Sequence, residues 1–501
     1  MLTLSMIVKN EEKYLPDCIK SVQGVVDEIV IVDTGSDDDT IEIAKKFNAK
    51  IYHYKWDNDF SAARNFALEK STGDWILYLD ADERLSASSI KLIRRLTREP
   101  DHKGYYCTIK NIDEVRNRPS VMKYVRLFPR SDKIRFTGKI HEQIEPSLAN
   151  NNYRLENSDV QIIHLGYNIS GDELKFKAER NLDILLKEFV ENPSSYIAYQ
   201  LGQTYGILEE QIKASNYFIL SVKGSSLKNE YKSVAYRYLC VQEAEKNNWV
   251  TALEYIDRSL DCDSEQPLPL LISSKINLQL KNFTEAESNC KKAYQVNKRY
   301  IEGKNNTYQT IYLSETDIVY ECLNIAAALE NNELFNFFYP LLKNTKKNIN
   351  RNFYELVDIL INHKKINEPE LYIEEVNDKN IDFISNLIKI YRHSDKEILL
   401  KLLISKFPGN AGLRTTYGLL LSSNKNFFEA AEQLENAYTL CADPSIVFYL
   451  VSEYLQTGEL NKIKILIEKA EINYSGQKNV IDRIALLKQK IYPLLISTKP
   501  L

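Results

Sequence analysis

Residues 75–83 have the sequence WILYLDADE, an apolar run that ends in a cluster of carboxylates. The apolar run predicts a buried β-strand, and Asp80 and Asp82 stand where that strand ends. Two carboxylates at this spacing can share a hard divalent cation, because Mg²⁺ and Mn²⁺ prefer oxygen ligands and keep substrate phosphates among them. Many surface loops contain such a pair, so its position at a strand end carries the interpretation.

The residues before this run alternate strand and helix patterns. Strands are predicted over 2–8, 28–33 and 50–55. Helices are predicted over 13–22, over a segment with Ile41, Ala44 and Phe47 on one face, and over 61–69. This alternation predicts parallel pairing with right-handed crossovers, and ligands bind such sheets at the carboxyl ends of the strands. The polar residues that fall at those ends are Lys9, Asn10, Asp33, Asp57, Asp59, Asp80 and Asp82.

Asp33 ends the second predicted strand. A carboxylate there can accept hydrogen bonds from a nucleotide base or ribose, or it can form the turn before Gly35. A dinucleotide-binding loop is not indicated, because residues 8–12 (VKNEE) contain no glycine after the first strand. Asp59 or Ser61 can cap the third helix, and Arg64 in its next turn can face either a nucleotide or solvent.

Residues from about 105 to 167 predict an added β region with short strand-like pieces, one of them over 134–140. His141 and Glu142 follow that piece, and either side chain can serve as a general base, or His141 can bind a metal. His164 ends another apolar piece, where a histidine is either structural or functional.

From about residue 171 the strand patterns stop and helical patterns continue. Tetratricopeptide repeats of about 34 residues place small residues where two helices approach closely. The positions that match this pattern in the first copy are Ala198, Leu201, Gly202, Tyr205, Ala214 and Phe218, and Gly418 begins a later copy. Residues 300–400 match poorly, and the alternative is an irregular helical domain. We expect three segments, 1–175, 176–300 and 301–501.

Composition excludes several classes of protein. The 501 residues carry a net charge of −4, which disfavours a basic nucleic-acid surface, so we expect no nucleic-acid partner. No run of about 18 apolar residues lacks charge, so we expect no membrane span. The seven cysteines are scattered without a C-x-x-C pair, which argues against disulfides and zinc and favours a cytoplasmic location.

The ordered motifs resemble those of family 2 glycosyltransferases with the GT-A fold. The resemblance covers about the first 170 residues and is carried by MIVKNEE (6–12), IVDTGS (31–36), DFSAARN (59–65), DADE (80–83), RLF (126–128) and GKIHE (138–142). It implies an α/β, Rossmann-like nucleotide-sugar domain followed by an all-α, tetratricopeptide-like region. The combination with repeats is similar to the bacteriocin S-glycosyltransferases of the sublancin type, which glycosylate a peptide.

The resemblance further implies a metal-dependent, inverting transfer from a UDP-sugar, UDP-glucose or UDP-GlcNAc, to a Cys, Ser or Thr side chain. The residues expected to bind the nucleotide-sugar are Val8, Lys9, Asn10, Asp33, Asp59, Arg64, Asp80 and Ala81. Asp80, Asp82 and His164 are expected to hold Mg²⁺ or Mn²⁺, and Glu142 or His141 is expected to be the base. The repeats can hold an extended peptide or pair two subunits in a homodimer. The alternatives are a transferase that builds a cell-envelope polysaccharide or glycolipid, and a non-catalytic scaffold.

Overall fold

The computed structural model describes residues 1–98, 102–112, 119–166, 171–304, 309–344, 351–378, 380–475 and 478–496. Tyr167, at the end of the predicted β region, lies outside the described residues. The chain forms two compact units, Met1–Ile318 and Val319–Leu501. The finer division into three segments stays a prediction.

The first unit contains one sheet. Its strands are β1 (Leu2–Val8), β2 (Glu28–Asp33), β3 (Lys50–His53), β4 (Trp75–Tyr78), β5 (Glu83–Leu85), β6 (Lys103–Asn111), β7 (Ser120–Pro129), β8 (Arg154–His164) and β9 (Gln309–Ile311). The order is β3-β2-β1-β4-β7-β6-β8-β5, and β9 pairs with β7. The pairs β1–β2, β1–β4 and β2–β3 are parallel, as the alternation of patterns predicts. The parallel part therefore brings the ends of β1, β2 and β4 to one edge of the sheet.

Five helices belong to this sheet region: α1 (Leu15–Val22), α2 (Thr40–Lys46), α3 (Phe60–Lys70), α4 (Ser89–Leu96) and α5 (Glu145–Asn150). Every residue of β4 is buried, because β4 lies between β1 and β7 with both of its faces covered. On one face, Leu77 belongs to a core that also contains Met6 of β1 and Ile19 of α1.

Paired helices follow within the first unit. They are α6 (Gly171–Glu191), α7 (Ser195–Ile207), α8 (Gln211–Lys223), α9 (Asn229–Glu245), α10 (Trp249–Cys262), α11 (Pro267–Gln279) and α12 (Phe283–Ile301). A Cβ added to Gly202 of α7 would lie 2.8 Å from Cδ1 of Phe218 in α8. The two helices of the first repeat therefore approach where the sequence pattern places its smallest residue. This arrangement confirms the predicted fold class, an α/β domain followed by tetratricopeptide-like helices.

The second unit is helical. Its helices are α13 (Glu315–Ala328), which begins just before the boundary, α14 (Asn332–Asn344), α15 (Arg351–Ile361), α16 (Pro369–Ile373), α17 (Ile381–Ile390), α18 (Lys396–Lys406), α19 (Ala411–Ser423), α20 (Phe427–Leu440), α21 (Pro444–Thr457), α22 (Leu460–Asn473) and α23 (Lys478–Ile496). Gly418 repeats the close approach, because a Cβ there would lie 2.8 Å from Cγ of Leu434. Across the described residues, no helix has both the length and the apolar character needed to cross a bilayer.

Two expectations about strands are wrong. Residues 134–140 form a loop in which Thr137 makes an isolated bridge to Gln143, so the apolar residues there pack as single side chains. Ile134 and Phe136, for example, are buried in a core beside Phe128. Strands also do not stop at residue 171, because β9 pairs antiparallel with the start of β7. Three residues are too few to show a strand periodicity.

Candidate functional site

The loops that follow β1 and β2 are tied together at the sheet edge. Asn10 has a left-handed backbone (φ 56°), and its backbone N–H donates to Ser36 Oγ at 3.0 Å. Its side-chain Oδ1 accepts from the N–H of Asp37 at 2.9 Å. Val8 accepts from the N–H of Thr34 at 3.0 Å, while Lys9 is exposed. The structure thus brings Val8, Lys9 and Asn10 beside the turn that begins at Asp33.

Asp33 is buried, and its carboxylate accepts hydrogen bonds from its own turn. The donors are the N–H groups of Gly35 at 3.2 Å and Ser36 at 3.1 Å. The ring Nδ1 of His53 lies 3.3 Å from the same carboxylate. Gly35 has φ 110°, a backbone conformation that favours glycine. The turn-forming role is therefore present, and it fixes the carboxylate at the end of β2.

Helix α3 is held against the loop that precedes His141. Asp59 caps the helix by accepting from the N–H of Ala62 at 2.9 Å. Ser61 donates to the carbonyl of Gly138 at 2.6 Å, and Asn65 exchanges two hydrogen bonds with the backbone of Phe136. These contacts set Arg64 in register with Glu142.

Arg64 is buried and holds two carboxylates. Its Nη2 donates to Asp80 Oδ1 at 2.6 Å, and its Nε donates to Glu142 Oε1. The guanidinium carbon lies 5.0 Å from the ring centroid of Tyr78, a cation–π distance. Arg64 therefore faces the interior of the site, and the solvent alternative is excluded by its burial.

A second buried arginine, Arg126 of β7, completes this cluster. Its Nη2 donates to Glu83 Oε1 at 2.7 Å and lies 3.5 Å from Asp80 Oδ2. Burial alone would raise the pKa of Asp80, but Arg64 and Arg126 outweigh it and hold that pKa well below its usual range. Arg126 belongs to the RLF motif (126–128), but no role is predicted for it from sequence. Its charge inside an apolar strand is the signal that marks it.

Asp82 and His164 meet because β5 pairs with β8, with Glu83 opposite His164. Asp82 Oδ2 lies 3.4 Å from His164 Nε2. Asp82 Oδ1 is buried and has no hydrogen-bond partner among the described residues. The other ring nitrogen of His164, Nδ1, lies 2.7 Å from Oδ1 of Asn111. The side-chain amide nitrogen of Asn111 donates to Ser120. An Nδ1–H donated to Asn111 leaves a lone pair on Nε2.

Gly166 leaves the space in front of this pair open. A Cβ at this position would lie 2.1 Å from Asp82 Oδ2 and 2.6 Å from His164 Nε2. Any larger residue would therefore displace one of the two side chains. No role is predicted for Gly166 from sequence, since a single glycine after a strand is an ordinary turn signal.

The pair fits a hard divalent cation whose shell is completed by a substrate. Within the described ranges, no three His, Cys, Asp or Glu side chains form a group that could hold a metal. Two protein ligands with substrate phosphates and water are the usual arrangement for Mg²⁺. Burial and the charges of Asp82 and Asp80 raise the pKa of Glu11 to about 7. The crowding of carboxylates at this edge is what a bound cation would offset.

The loop after Gly138 presents His141 and Glu142 in different directions. His141 has φ 54°, is exposed, and lines a cavity beside the Asp82–His164 pair. Glu142 is half-buried against Arg64 and does not line that cavity. Ala81 is buried between the two aspartates, and its carbonyl accepts from Arg84 at 2.7 Å. The catalytic and binding roles of these residues stay predictions.

The cavity has a volume of about 530 Å³ and lies between the sheet and the helices that follow it. Sheet and loop residues in its lining are Asp82, Asn111, Ser120, Met122, His141, His164 and Gly166. The other wall of the cavity comes from α6, α7, α9, α11 with the residue before it, and β9. Its residues are Leu174, Lys177, Ala178, Asn181, Gln200, Gln203, Thr204, Ile207, Val234, Arg237, Gln266, Leu268, Pro269, Thr310 and Ile311. Sequence reasoning missed this wall, because its members are spread over five elements, each of which contributes only two to four side chains.

Comparison with known proteins identifies the protein family to which this sequence is similar. Residues 3–149 match the model of "Glycosyl transferase family 2". The SPbeta prophage-derived glycosyltransferase SunS of Bacillus subtilis (strain 168) is 30% identical over 294 residues, which cover 55% of this chain and 68% of SunS. A TPR repeat-containing protein of Synechococcus elongatus is 34% identical over 227 residues, 44% of this chain and 55% of its own length.

Among solved structures, residues 1–349 of S. aureus TarS in complex with UDP-GlcNAc match with 14% identity and a TM-score of 0.28, over 61% of this chain and 93% of that one. A score this low bears on neither fold nor function. The SunS match is different in kind, because identity of 30% extends over two thirds of that relative and continues past the residues of the family model. The chain belongs to glycosyltransferase family 2 and is a glycosyltransferase.

Proposed function

We propose that the chain is a metal-dependent inverting glycosyltransferase that moves a sugar from UDP-glucose or UDP-GlcNAc to a Cys, Ser or Thr side chain of a peptide or protein. One observation carries this proposal. The cavity beside Asp82 and His164 is walled by the helices of the repeat region. A helical array is a surface that binds peptides.

The chemistry of the cavity wall favours a peptide over a polysaccharide. The wall combines amide side chains, such as Gln203, with aliphatic ones, such as Ile207 and Val234. A sugar polymer pressed against the aliphatic part would bury hydroxyl groups without hydrogen-bond partners, which costs free energy. A peptide can place apolar side chains there and offer its backbone to the amides. The resemblance of the motif series and repeats to bacteriocin S-glycosyltransferases supports the same acceptor class.

The donor would bind where the ends of β1, β2 and β4 meet. We assign the uridine to the edge formed by Val8, Asn10 and Asp33, because Val8 pairs with Asp33 there and the edge offers the exposed Asn10 beside the buried carboxylate of Asp33. The exposed Lys9 would supply positive charge toward the donor. Arg64 would hold the carboxylates of Asp80 and Glu142 in place, and Asp59 caps α3, the helix that carries Arg64. Asp80 is fixed by Arg64 and Arg126, so we give it a positioning role.

Asp82 and His164 would hold Mg²⁺ or Mn²⁺. When bound, the metal offsets the negative charge that develops on the departing diphosphate. Asn111 orients His164 by accepting from Nδ1, and Gly166 keeps the approach to both ligands open. Crowded carboxylates, including Glu11, make this edge unfavourable for a diphosphate without a cation.

Inversion requires a base on the face of the sugar opposite the leaving group. His141 lies in the cavity lining, where an acceptor would enter, and Glu142 keeps an ion pair with Arg64. Both remain candidates for removing the acceptor's proton. Replacing each in turn separates them: the base variant loses transfer while it still binds UDP. Homodimer formation through the repeats and a cytoplasmic location stay predictions.

The proposal is tested by intact-mass measurement. The purified chain, Mn²⁺ and each UDP-sugar are incubated with peptides that carry one Cys, Ser or Thr, and in parallel with polysaccharide acceptors. We expect a mass gain of one sugar on a peptide, abolished in Asp82→Asn and retained in Asp132→Asn, whose carboxylate is exposed. Transfer to carbohydrate acceptors alone would establish the envelope polysaccharide alternative instead.

A further inference from the structure

We propose that the helix-walled cavity is the acceptor site and that it selects peptides with an aliphatic side chain next to the modified residue. This inference rests on the proposed function and deepens it. The donor residues at the ends of β1 and β2 do not line the cavity, whereas Asp82 and His164 do. The cavity therefore begins at the reacting centre and extends away from the nucleotide.

One part of the wall can bind a peptide backbone. Gln203 of α7 is half-buried, and its side chain forms no hydrogen bond with any residue that the structure describes. Gln200 lies three residues before it, and Asn181 of α6 also lines the cavity. A glutamine amide both donates and accepts, which matches the alternating N–H and C=O groups of an extended chain. Gln203 thus has side-chain hydrogen-bonding capacity to offer an acceptor in this cavity.

Another part of the wall is aliphatic. Ile207 of α7, Val234 of α9, Leu268 of α11 and Ile311 of β9 all line the cavity, and each is half-buried. No Phe, Tyr or Trp belongs to the lining among the described residues. An aliphatic side chain of a substrate would remove the exposed parts of these four residues from water, which is favourable in proportion to the area buried.

Strand pairing fixes the position of one member of this aliphatic part, Ile311, relative to the metal pair. Ile311 of β9 is in register with Ser120 of β7. Ser120 accepts from the amide of Asn111 at 2.9 Å, and Asn111 Oδ1 lies 2.7 Å from His164 Nδ1. Two side-chain contacts thus separate the aliphatic wall from the residue that would hold the metal. A side chain bound there belongs to a residue close to the one that receives the sugar.

The charged residues of the lining restrict which side chains can flank the acceptor residue. Lys177 and Arg237 also line the cavity, and its acidic residue is Asp82, which the proposed function gives to the metal. A lysine next to the acceptor residue would bring a further positive charge into this space. The expected order of preference at the flanking position is therefore leucine, then glycine, then lysine.

The test uses synthetic peptides that differ only at the residues on either side of one Cys, Ser or Thr, with Leu, Gly or Lys in those places. The full chain, Mn²⁺ and the UDP-sugar are used, and kcat/KM is measured for each peptide. We expect leucine flanks to exceed glycine flanks about tenfold, the discrimination typical of an apolar pocket. Ile207→Ser and Leu268→Ser should each lower this leucine-to-glycine ratio several-fold.

Matched controls lie on α8. Ile212 is 81% exposed and does not line the cavity, so Ile212→Ser should keep the ratio. Gln203→Ala should raise KM for every peptide, and Gln211→Ala, an exposed glutamine, should not. Equal transfer to all flanks, or an unchanged ratio in Ile207→Ser and Leu268→Ser, overturns the subsite while peptide transfer stands. Transfer to polysaccharide with none to any peptide overturns the proposed function, and the subsite with it.

Discussion

Asp80 accepts a hydrogen bond from Arg64, with 2.6 Å between Oδ1 and Nη2, while a buried oxygen of Asp82 has no hydrogen-bond partner in the part of the chain that the structure describes. The two aspartates of the D-x-D sequence therefore stand in different environments. Asp80 is neutralised by guanidinium groups, and Asp82 faces His164 across 3.4 Å. Adjacent carboxylates in different environments can take separate tasks, one in positioning and one in cation binding.

Asp82→Asn should weaken Mn²⁺ binding by about a hundredfold in the presence of UDP, because a charged ligand becomes a neutral one. Calorimetric titration of Mn²⁺ into the protein–UDP mixture measures this directly, without reliance on turnover. Asp132→Asn removes an exposed carboxylate of the same unit and should bind Mn²⁺ as the unmodified chain does. An unchanged affinity in Asp82→Asn would remove Asp82 from the metal site.

Asp80→Asn should have the opposite effect to Asp82→Asn: it should lower the stability of the first unit and leave Mn²⁺ binding nearly unchanged. Mn²⁺ affinity should stay within about threefold, while the first unit loses about 1–3 kcal/mol of stability, the usual worth of hydrogen bonds to charged groups. The three tryptophans, Trp56, Trp75 and Trp249, all lie in the first unit, so their fluorescence during urea unfolding follows that unit. A large loss of Mn²⁺ affinity with unchanged unfolding would instead make Asp80 a ligand.

Gly166→Ala should abolish most transfer, because the added Cβ would meet Asp82 Oδ2 and His164 Nε2 at less than contact distance. Mn²⁺ affinity should fall together with activity, while the urea midpoint changes little. Gly171→Ala is the matched control, since a Cβ there meets nothing within 4 Å. Normal activity in Gly166→Ala would mean that the two side chains move apart without cost.

Glu28 should make the first unit sensitive to acid. Burial alone would raise its pKa, but hydrogen bonds from Lys50, Thr3 and Thr72 outweigh it and lower the pKa from 4.5 to about 2. The folded pKa lies below the unfolded one, so the stabilisation is complete above pH 4.5 and is lost as the pH falls toward 2. Between pH 5 and 3 the unmodified chain should lose about 2 kcal/mol more than Glu28→Gln.

The same tryptophan-detected urea unfolding measures this difference. Glu42→Gln is the control, because Glu42 is an exposed residue paired with Lys45 and should follow the unmodified chain across this pH range. Parallel pH curves for the unmodified chain and Glu28→Gln would contradict the assignment of this acid sensitivity to Glu28.

The parallel part of the sheet was predictable from sequence, because each strand carries its own apolar pattern and the turns between them are polar. Asp82 and His164 were both predictable as candidate metal ligands, but the contact between their side chains was not. It depends on the pairing of β5 with β8, and the partner and register of a three-residue strand leave no local signal. The participation of Arg126 in a buried ion pair was predictable, because a charged residue inside an apolar strand needs a buried partner.

The cavity wall was not predictable by these means. Gln203, Val234, Leu268 and Ile311 lie on different elements, and each has an ordinary local pattern. Their convergence is a property of how successive helix pairs stack beside the sheet. The close approach of Gly202 and Phe218, within one repeat, was predictable from the sequence pattern. The side chains that successive stacked repeats present to the cavity were not predictable from that pattern.

The pairing of β9 with β7 has a consequence for how such proteins can diversify. β4 pairs with β7 only from Leu127 to Pro129, and β9 covers Ser120–Met122, which would otherwise be an open sheet edge. The sheet region is thus completed by a strand from the helical part of the chain, which the proposed function assigns to acceptor binding. A recombination event that replaced the repeats wholesale would leave that edge bare, so new acceptor ranges are expected to arise by changes of single wall residues, with the strand inherited intact.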